Sequence, residues 1–238
     1  MRVFDFEFFL KCIEPIVVEG IPTALRIAFV SFIAGIIIGT IAALIKIYKV
    51  PVLKQIVIVY VSVFRGTPLM VQILVFYYGL PIIINNFFRS MNIDFDVNSI
   101  SSMIYMYIIY SLNVGSYMSE NIRAAILSVD KGQLEAGYSI GLSTLQVFRR
   151  ILAPLAIVVA IPTLGNTFIN LIKETSLAFM ASIVDIMGKA KILAGSSNKF
   201  FEAYIAAAVI YWVLCFAFEI IIKYIEKYAV RHRRKLAD

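Results

Sequence analysis

The chain has 238 residues, 61% of them hydrophobic and 16% charged, with a mean hydropathy of +0.88 and a formal net charge of +7. An ordinary soluble domain is about 45–50% apolar and about 25% charged, so a water-soluble fold cannot hide this much apolar surface. The single histidine, His232, stands in a basic "RHRRK" tail, which leaves none at membrane depth for a metal site or a His-assisted nucleophile.

Uncharged runs at 27–45, 66–84, 97–119 and 151–172, with a shorter one at 203–218, approach the roughly 20 residues that cross a bilayer. They predict an all-α integral membrane protein with five transmembrane helices, spanning approximately 20–46, 54–80, 100–127, 151–172 and 202–225. Residues 1–19 are expected as an extracytoplasmic leader, 20–225 as the membrane domain and 226–238 as a basic cytoplasmic tail. The first apolar run lies too far inside the chain, and is too long, for a signal peptide. Cys12 and Cys215 fall at different depths, so no disulfide is expected between them. Positive residues near span ends stay on the cytoplasmic side. Lys46, Lys49 and Lys54 in the first loop, Arg123, Lys131, Arg149 and Arg150 around the third, and six cations from Lys223 to Lys235 in the tail put those segments inside and the N-terminus outside. Lys189, Lys191 and Lys199 run against that assignment. After a membrane span, a basic tail reads as a contact with the lipid bilayer's anionic head groups rather than with nucleic acid.

Within the second expected span, Pro68 removes a backbone hydrogen bond and crowds the carbonyl of Phe64, so the helix should kink or open there. A charge at that depth faces protein or water. Arg65 therefore either satisfies freed carbonyls or a neighbouring Glu, or touches what is transported. In the third span Asn113, Ser116, Glu120 and Arg123 recur at steps of three and four and share one helix face. That face lines a pathway or joins the bundle; Gly115 favours packing for part of it, and Glu120 and Arg123 are spaced to pair.

The stretch 128–154 interrupts the apolar runs. Asp130 with Gln133, and Ser143 with Gln146, read as capping boxes, while Gly141 offers a left-handed stop between them. The pattern is helix, tight turn, helix, with Pro154 where the second helix enters the fourth span. A DNA-reading helix-turn-helix is excluded because its second helix would be tied to the bilayer. An interfacial loop explains the stripe Leu134, Tyr138, Leu142, Leu145 and Leu152 but not the paired caps; a docking knob for a soluble partner explains both. The fourth span ends in Lys173, Glu174 and Thr175, followed by an apolar piece, 177–184, too short to span and expected to be re-entrant or interfacial. Glu174 is the candidate acceptor for an ammonium group, an exposed helix-end carboxylate being the alternative.

"EAGYSIGLSTLQVFRRILAP" resembles the EAA loop of ABC importer membrane subunits through Glu135, Ala136, Gly141, Ile151 and Pro154, with Gly137 replacing the third Ala and Ala153 the Leu before Pro. "FRGTPLMVQILVFYYGLP" (64–81), "SENIRAAILSVDKGQLEA" (119–136) and "IKETSLAF" (172–179) are similar to segments of polar amino-acid permeases of the histidine, glutamine and cystine type. The last, with "DIMGKAKILA", looks most like L-cystine permeases. The resemblance implies a type I ABC importer transmembrane architecture in a bacterial cell membrane, translocating a polar amino acid without being an enzyme itself. It implies three partners: a cytoplasmic ABC ATPase dimer carrying ATP and Mg, a second membrane subunit identical or homologous to this one, and an extracytoplasmic amino-acid-binding protein. It also implies that Glu135, Ala136, Gly137, Gly141 and Pro154 couple to the ATPase. No cofactor is expected on this chain, which has no G-x-x-x-x-G-K-[ST]; "MGKA" at 187–190 lacks the upstream Gly and the Ser or Thr. Candidates for the substrate pathway are Arg65, Thr67, Gln72, Asn113, Ser116, Glu120 and Glu174, with Arg65 and Glu174 matched by charge to the two ends of a zwitterion. A secondary transporter would need an internal repeat with two interrupted spans, which is not seen. An intramembrane enzyme would need a nucleophile with a base or paired carboxylates, which the isolated Glu120 and Glu174 do not supply.

Overall fold

Proline and glycine decide where the apolar runs become separate helices. The computed structural model describes residues 4–93 and 95–237, with Asn98 and 232–237 as backbone alone. The first three residues of the expected leader, and the side chains of the basic tail from His232 on, lie outside the described residues. Helix α1 (Phe6–Pro15) passes through a π turn, Ile16–Gly20, into α2 (Ile21–Ile47), so that Phe6–Ile47 is one rod. The π turn immediately precedes Pro22: the Ile21 N–H reaches back to the Ile16 carbonyl, and the widened turn makes room for the proline ring. From Phe6 on, the segment expected as a leader is thus continuous with the first span. Its apolar stripe, Phe8, Cys12 and Ile16, packs on alanines of α9 (Ile186–Ser197) and α10 (Phe200–Ala237).

The second expected span is broken. Helix α3 (Leu53–Gly66) ends at Thr67, which is extended at φ −120°, ψ 146°, and α4 (Leu69–Ser90) starts after Pro68 and runs well past the expected end at 80. Helix α5 (Ser102–Leu127) is central, packing on α2, α3, α4 and α8 (Ala153–Glu174). It lies parallel to α2, with Gly35 against Val114, Gly39 against Met118 and Lys46 against Glu120. A Cβ on Gly39 would stand 2.7 Å from the Met118 Cβ and 3.0 Å from its carbonyl carbon, so only glycine permits this approach. Helix α8 runs antiparallel to α5, and α10 antiparallel to α8, Gly165 meeting Ile222 and Phe168 meeting Phe218.

Among the described residues all elements are helical, and four stretches are long and apolar enough to cross a membrane: Phe6–Ile47, Leu69–Ser90, Thr144–Ala181 and Phe200–Arg231. The sequence reading gives five. The difference arises at 54–80, which is divided by the break, and at α5, which is more polar because Ser111, Asn113, Ser116 and Ser119 turn into protein rather than lipid. Between α5 and α8 stand α6 (Lys131–Ser139), the single turn α7 (Thr144–Val147) and a second π turn, Phe148–Leu152. These share one end of the bundle, the knob end, with the α2–α3 loop and the last turns of α10. The opposite end carries α1, α9 and a 3-10 turn, Thr175–Ala181, which is the short apolar piece expected not to span. The expected tail from 226 on continues α10 as helix.

Candidate functional site

Two sites follow from this arrangement, a knob at one end and a polar cavity between α5 and α8. The knob is built by its caps. The Asp130 carboxylate accepts from the Gly132 N–H at 2.6 Å and starts α6; Gln133 makes no return bond, so the first capping box is half formed. The second box is complete, the Gln146 N–H donating to Ser143 Oγ at 3.4 Å and the Ser143 N–H to Gln146 Oε1 at 2.8 Å. Gly141 takes φ +83°, the left-handed stop expected of it, and its N–H donates to the Tyr138 carbonyl. Pro154 falls in the first turn of α8, directly after the π turn, in which the Ala153 N–H reaches the Phe148 carbonyl. Knob and span are therefore one continuous piece.

Glu135 and Ala136 are exposed on the knob beside Tyr138, Ile140 and Leu145, the last two 78% and 65% exposed. Gly137 differs from the expectation that it opens the knob to a partner. It is buried, and a Cβ there would lie 2.6 Å from Ile151 Cδ1 and 3.2 Å from Val147 Cγ2. Its smallness seats α6 on the chain's own π turn.

The polar cavity, about 190 Å³, is lined by Asn113, Tyr117 and Asn121 of α5 and by Thr167, Asn170 and Glu174 of α8. Side chains at i, i+4 and i+8 on one helix face those at i, i+3 and i+7 on the other. The Asn121 amide donates to Thr167 Oγ1 at 3.3 Å, while the half-buried Glu174 carboxylate has no ion-pair partner among the described residues. Its backbone is pinned by the Tyr110 hydroxyl, which donates to the Glu174 carbonyl at 2.8 Å. The Arg65 guanidinium lies 5.4 Å over the Tyr117 ring, at the cavity's rim.

Of the candidates read from sequence, the structure brings Asn113 and Glu174 together in this cavity, with Arg65 beside it. The others stand elsewhere. Gln72 spans the break: its Nε2 lies 2.9 Å from the Phe64 carbonyl, 3.0 Å from the Thr67 carbonyl and 2.8 Å from Thr67 Oγ1, and its Oε1 accepts from the Asn113 amide at 2.8 Å. Thr67 Oγ1 in turn donates to the Val63 carbonyl. Ser116 is fully buried and donates to the Asn113 carbonyl. Glu120 turns to the knob end, where Lys46 at 2.6 Å and Arg123 at 2.9 Å tie its carboxylate to α2 and to its own helix. These last groups hold the bundle rather than line the cavity. Sequence reasoning missed Tyr117, Asn121, Thr167 and Asn170; the signal was a polar residue every three or four positions along two otherwise apolar helices.

The described family "binding-protein-dependent transport system inner membrane component" matches residues 35–230. The chain is 43% identical over 209 residues to a probable amino-acid ABC transporter permease of Vibrio harveyi, covering 88% of this chain and 89% of that one. It is 41% identical over 222 residues to an L-cystine transport system permease of Bacillus subtilis, covering 93% and 89%. A crystal structure of an amino acid ABC transporter with histidines superposes with a TM-score of 0.80 at 29% identity, over 95% of this chain and 100% of that one.

Proposed function

The chain belongs to the family of binding-protein-dependent transport system inner membrane components, and from that premise we propose that it conducts a polar amino acid, L-cystine first among the candidates. It is a multi-pass permease subunit of an amino-acid ABC transporter and not an enzyme; the family works with a binding protein and a separate ATPase. The observation that carries the substrate reading is the lone Glu174 carboxylate in a cavity otherwise lined by amides, a hydroxyl and a phenol. A zwitterion at membrane depth needs both ends compensated. Glu174 takes the ammonium, and the amides of Asn113 and Asn170, with Arg65 at the rim, offer donors to the carboxylate. The cavity is small and sits beside the break between α3 and α4, so a second membrane subunit, this chain or a homologue, completes the pathway.

The knob is the coupling element. Glu135 and Ala136 dock with Ile140 and Leu145 into a cytoplasmic ATPase that holds ATP and Mg, and the continuous π turn carries the motion into α8. The knob end is cytoplasmic and the N-terminus outside. Lys49 and Lys54 at the knob end have no ion-pair partner among the described residues, whereas the cations at the far end are all engaged. Lys189 binds Glu19 at 2.7 Å, Lys199 binds Asp5 at 2.6 Å, and Lys191 lies 4.6 Å over the Phe179 ring. Partnered cations weigh little in the positive-inside rule, which accounts for the three lysines that run against it.

The test is uptake of labelled L-cystine, arginine, histidine and glutamine in bacterial cells whose only importer of this type is the complete system. L-cystine is expected to enter fastest, and Glu174→Gln to lower uptake about tenfold to hundredfold, the weight of a hydrogen bond to a charge. Glu135→Lys is expected to abolish uptake while membrane insertion stays normal. Uptake confined to sugars, metals or peptides would overturn the amino-acid reading.

A further inference from the structure

The largest wholly apolar cleft in the molecule lies away from the polar cavity, between α2, α8 and α10. It encloses about 430 Å³ and has no polar side chain in its lining. Phe32 and Ile36 form one wall, Leu164 and Phe168 the floor, and Phe218 and Ile222 the other wall. Gly165 keeps the floor low: a Cβ there would stand 2.4 Å from Ile222 Cγ2. Water has no partner in such a cleft, and at this depth the surrounding solvent is lipid.

The cleft continues toward the knob end. Ile225, at its edge, also lines a second hollow of about 500 Å³ formed by Tyr224, Lys227, Tyr228 and Arg231 of α10. Phe218, Ile221, Ile222, Ile225, Tyr228 and Arg231 are spaced by three or four, so apolar cleft and cationic hollow share one helix stripe. From Phe218 to Arg231 the helix rises about 20 Å, against about 15 Å for half of a bilayer's hydrocarbon core. The stripe therefore runs from mid-membrane to the head-group level of one leaflet. Lys223 is engaged with Glu219 at 2.8 Å, but Lys227 and Arg231 have no ion-pair partner among the described residues.

We propose that this stripe binds one anionic phospholipid, an acyl chain lying in the cleft between α2, α8 and α10 and the phosphate resting on Lys227 and Arg231. The pairing of a dry, aromatic-floored slot with two unpartnered cations half a bilayer away matches that ligand at both ends. A packed helix, about 10 Å across, would need on the order of 800 Å³ over the same length of axis, about twice what the cleft offers. A neutral lipid would leave the cations unused. Interfacial tyrosines such as Tyr224 suit the head-group boundary, where an apolar ring and a polar tip are both satisfied. The site is separate from the amino-acid cavity and does not rest on the substrate reading.

Native mass spectrometry of the purified complex, equilibrated with equal amounts of phosphatidylglycerol and phosphatidylcholine, tests it without any variant: bound phosphatidylglycerol should exceed phosphatidylcholine several-fold. Lys227→Gln with Arg231→Gln should remove that preference, weakening phosphatidylglycerol about tenfold or more. Lys223→Gln, already ion-paired and outside both hollows, should leave it intact. Ile221→Trp fills the cleft from a half-exposed position and should reduce retention of both lipids. Equal retention of the two lipids by the wild type overturns the proposal. So does phosphatidylglycerol retention indifferent to Ile221→Trp, or a disulfide between two membrane subunits through Ile221→Cys, which would mean that protein covers the cleft.

Discussion

Proline interrupts two helices of this chain with opposite results. At Pro68 the helix stops, and side chains take over the freed carbonyls: Gln72 reaches those of Phe64 and Thr67, and Thr67 Oγ1 reaches that of Val63. At Pro154 the helix goes on, because the backbone satisfies itself one residue further back, Ala153 to Phe148, in a π turn. The same device precedes Pro22. Local sequence separates the two cases. Gly66 weakens the helix just before Pro68 and Gln72 stands one turn beyond it, whereas Phe148–Leu152 contains only residues that tolerate helix. The mechanical outcomes differ as well. A break sealed by side chains leaves α3 and α4 free to change their mutual angle, while a π turn makes the knob and α8 a single rod. The first suits a wall that must open beside a cavity, the second a lever.

The largest expected effect tests the seal. Gln72→Leu leaves the Phe64 and Thr67 carbonyls, and the Asn113 amide, without their partner at membrane depth. The expected loss is about 2–4 kcal/mol, read as a lower melting temperature of the purified complex. Adding Pro68→Ala returns a backbone N–H in reach of the Phe64 carbonyl and should recover part of it. A melting temperature unmoved by Gln72→Leu would show that the break seals itself. Gly137→Ala probes the lever's seat. The added methyl meets Ile151 Cδ1, the tip of a flexible side chain, so stability should fall by only about 1 kcal/mol. Pro154→Ala should cost less still, because an ordinary α turn becomes available. Closing the π turn, however, rotates α6 and α7 by about 100° relative to α8. Uptake should therefore fall sharply while the melting temperature stays within a degree or two, and normal uptake would refute the lever.

The contrast also marks how far sequence reasoning reached. The break at Pro68, the caps at Asp130 and Ser143 and the stop at Gly141 were legible because each depends on residues within four positions. The π turns were not, since nothing in "FRRIL" or "IVVEG" distinguishes a widened turn from an ordinary one; only the proline that follows hints at it. Gly137 was read as open to a partner because its neighbour α7 folds back on it through a turn whose direction the sequence does not encode. Glu120 paired with Arg123 as its spacing suggested, but its shorter bond goes to Lys46, 74 positions away on a helix whose register against α5 is set by glycines. Half of the cavity stayed hidden for the same reason: Asn121 and Thr167 are unremarked polar residues until α5 and α8 are laid antiparallel.

The smallest expected effect concerns the other π turn, at the far end of the rod Phe6–Ile47. If a π turn keeps two helices one body, loosening α1 should be felt up to the next fixed point and no further. That point is Gly20, whose Cβ would lie 2.8 Å from the Ile186 Cα, leaving no room for slippage. The tie at the other end is Asp5, which accepts from the Lys199 ammonium at 2.6 Å and from the Phe8 N–H at 3.0 Å, while its own N–H donates to Glu202. The Lys199 hydrogen bond first, and the Phe8 N–H next, hold the Asp5 carboxyl below the usual carboxylate range. A carboxyl whose value is lowered on folding stabilises the fold above its unfolded value, about pH 4, and loses that contribution as pH falls through the lower folded value. Acidification below about pH 4 should therefore fray α1 and speed labelling of the fully buried Cys12 thiol by a lipophilic maleimide. Asp5→Asn should give the faster labelling already at neutral pH and flatten its acid dependence. Protection of Cys12 that persists at low pH in the wild type would mean that the apolar stripe against α9 and α10, not the Asp5 tie, holds the first helix in place.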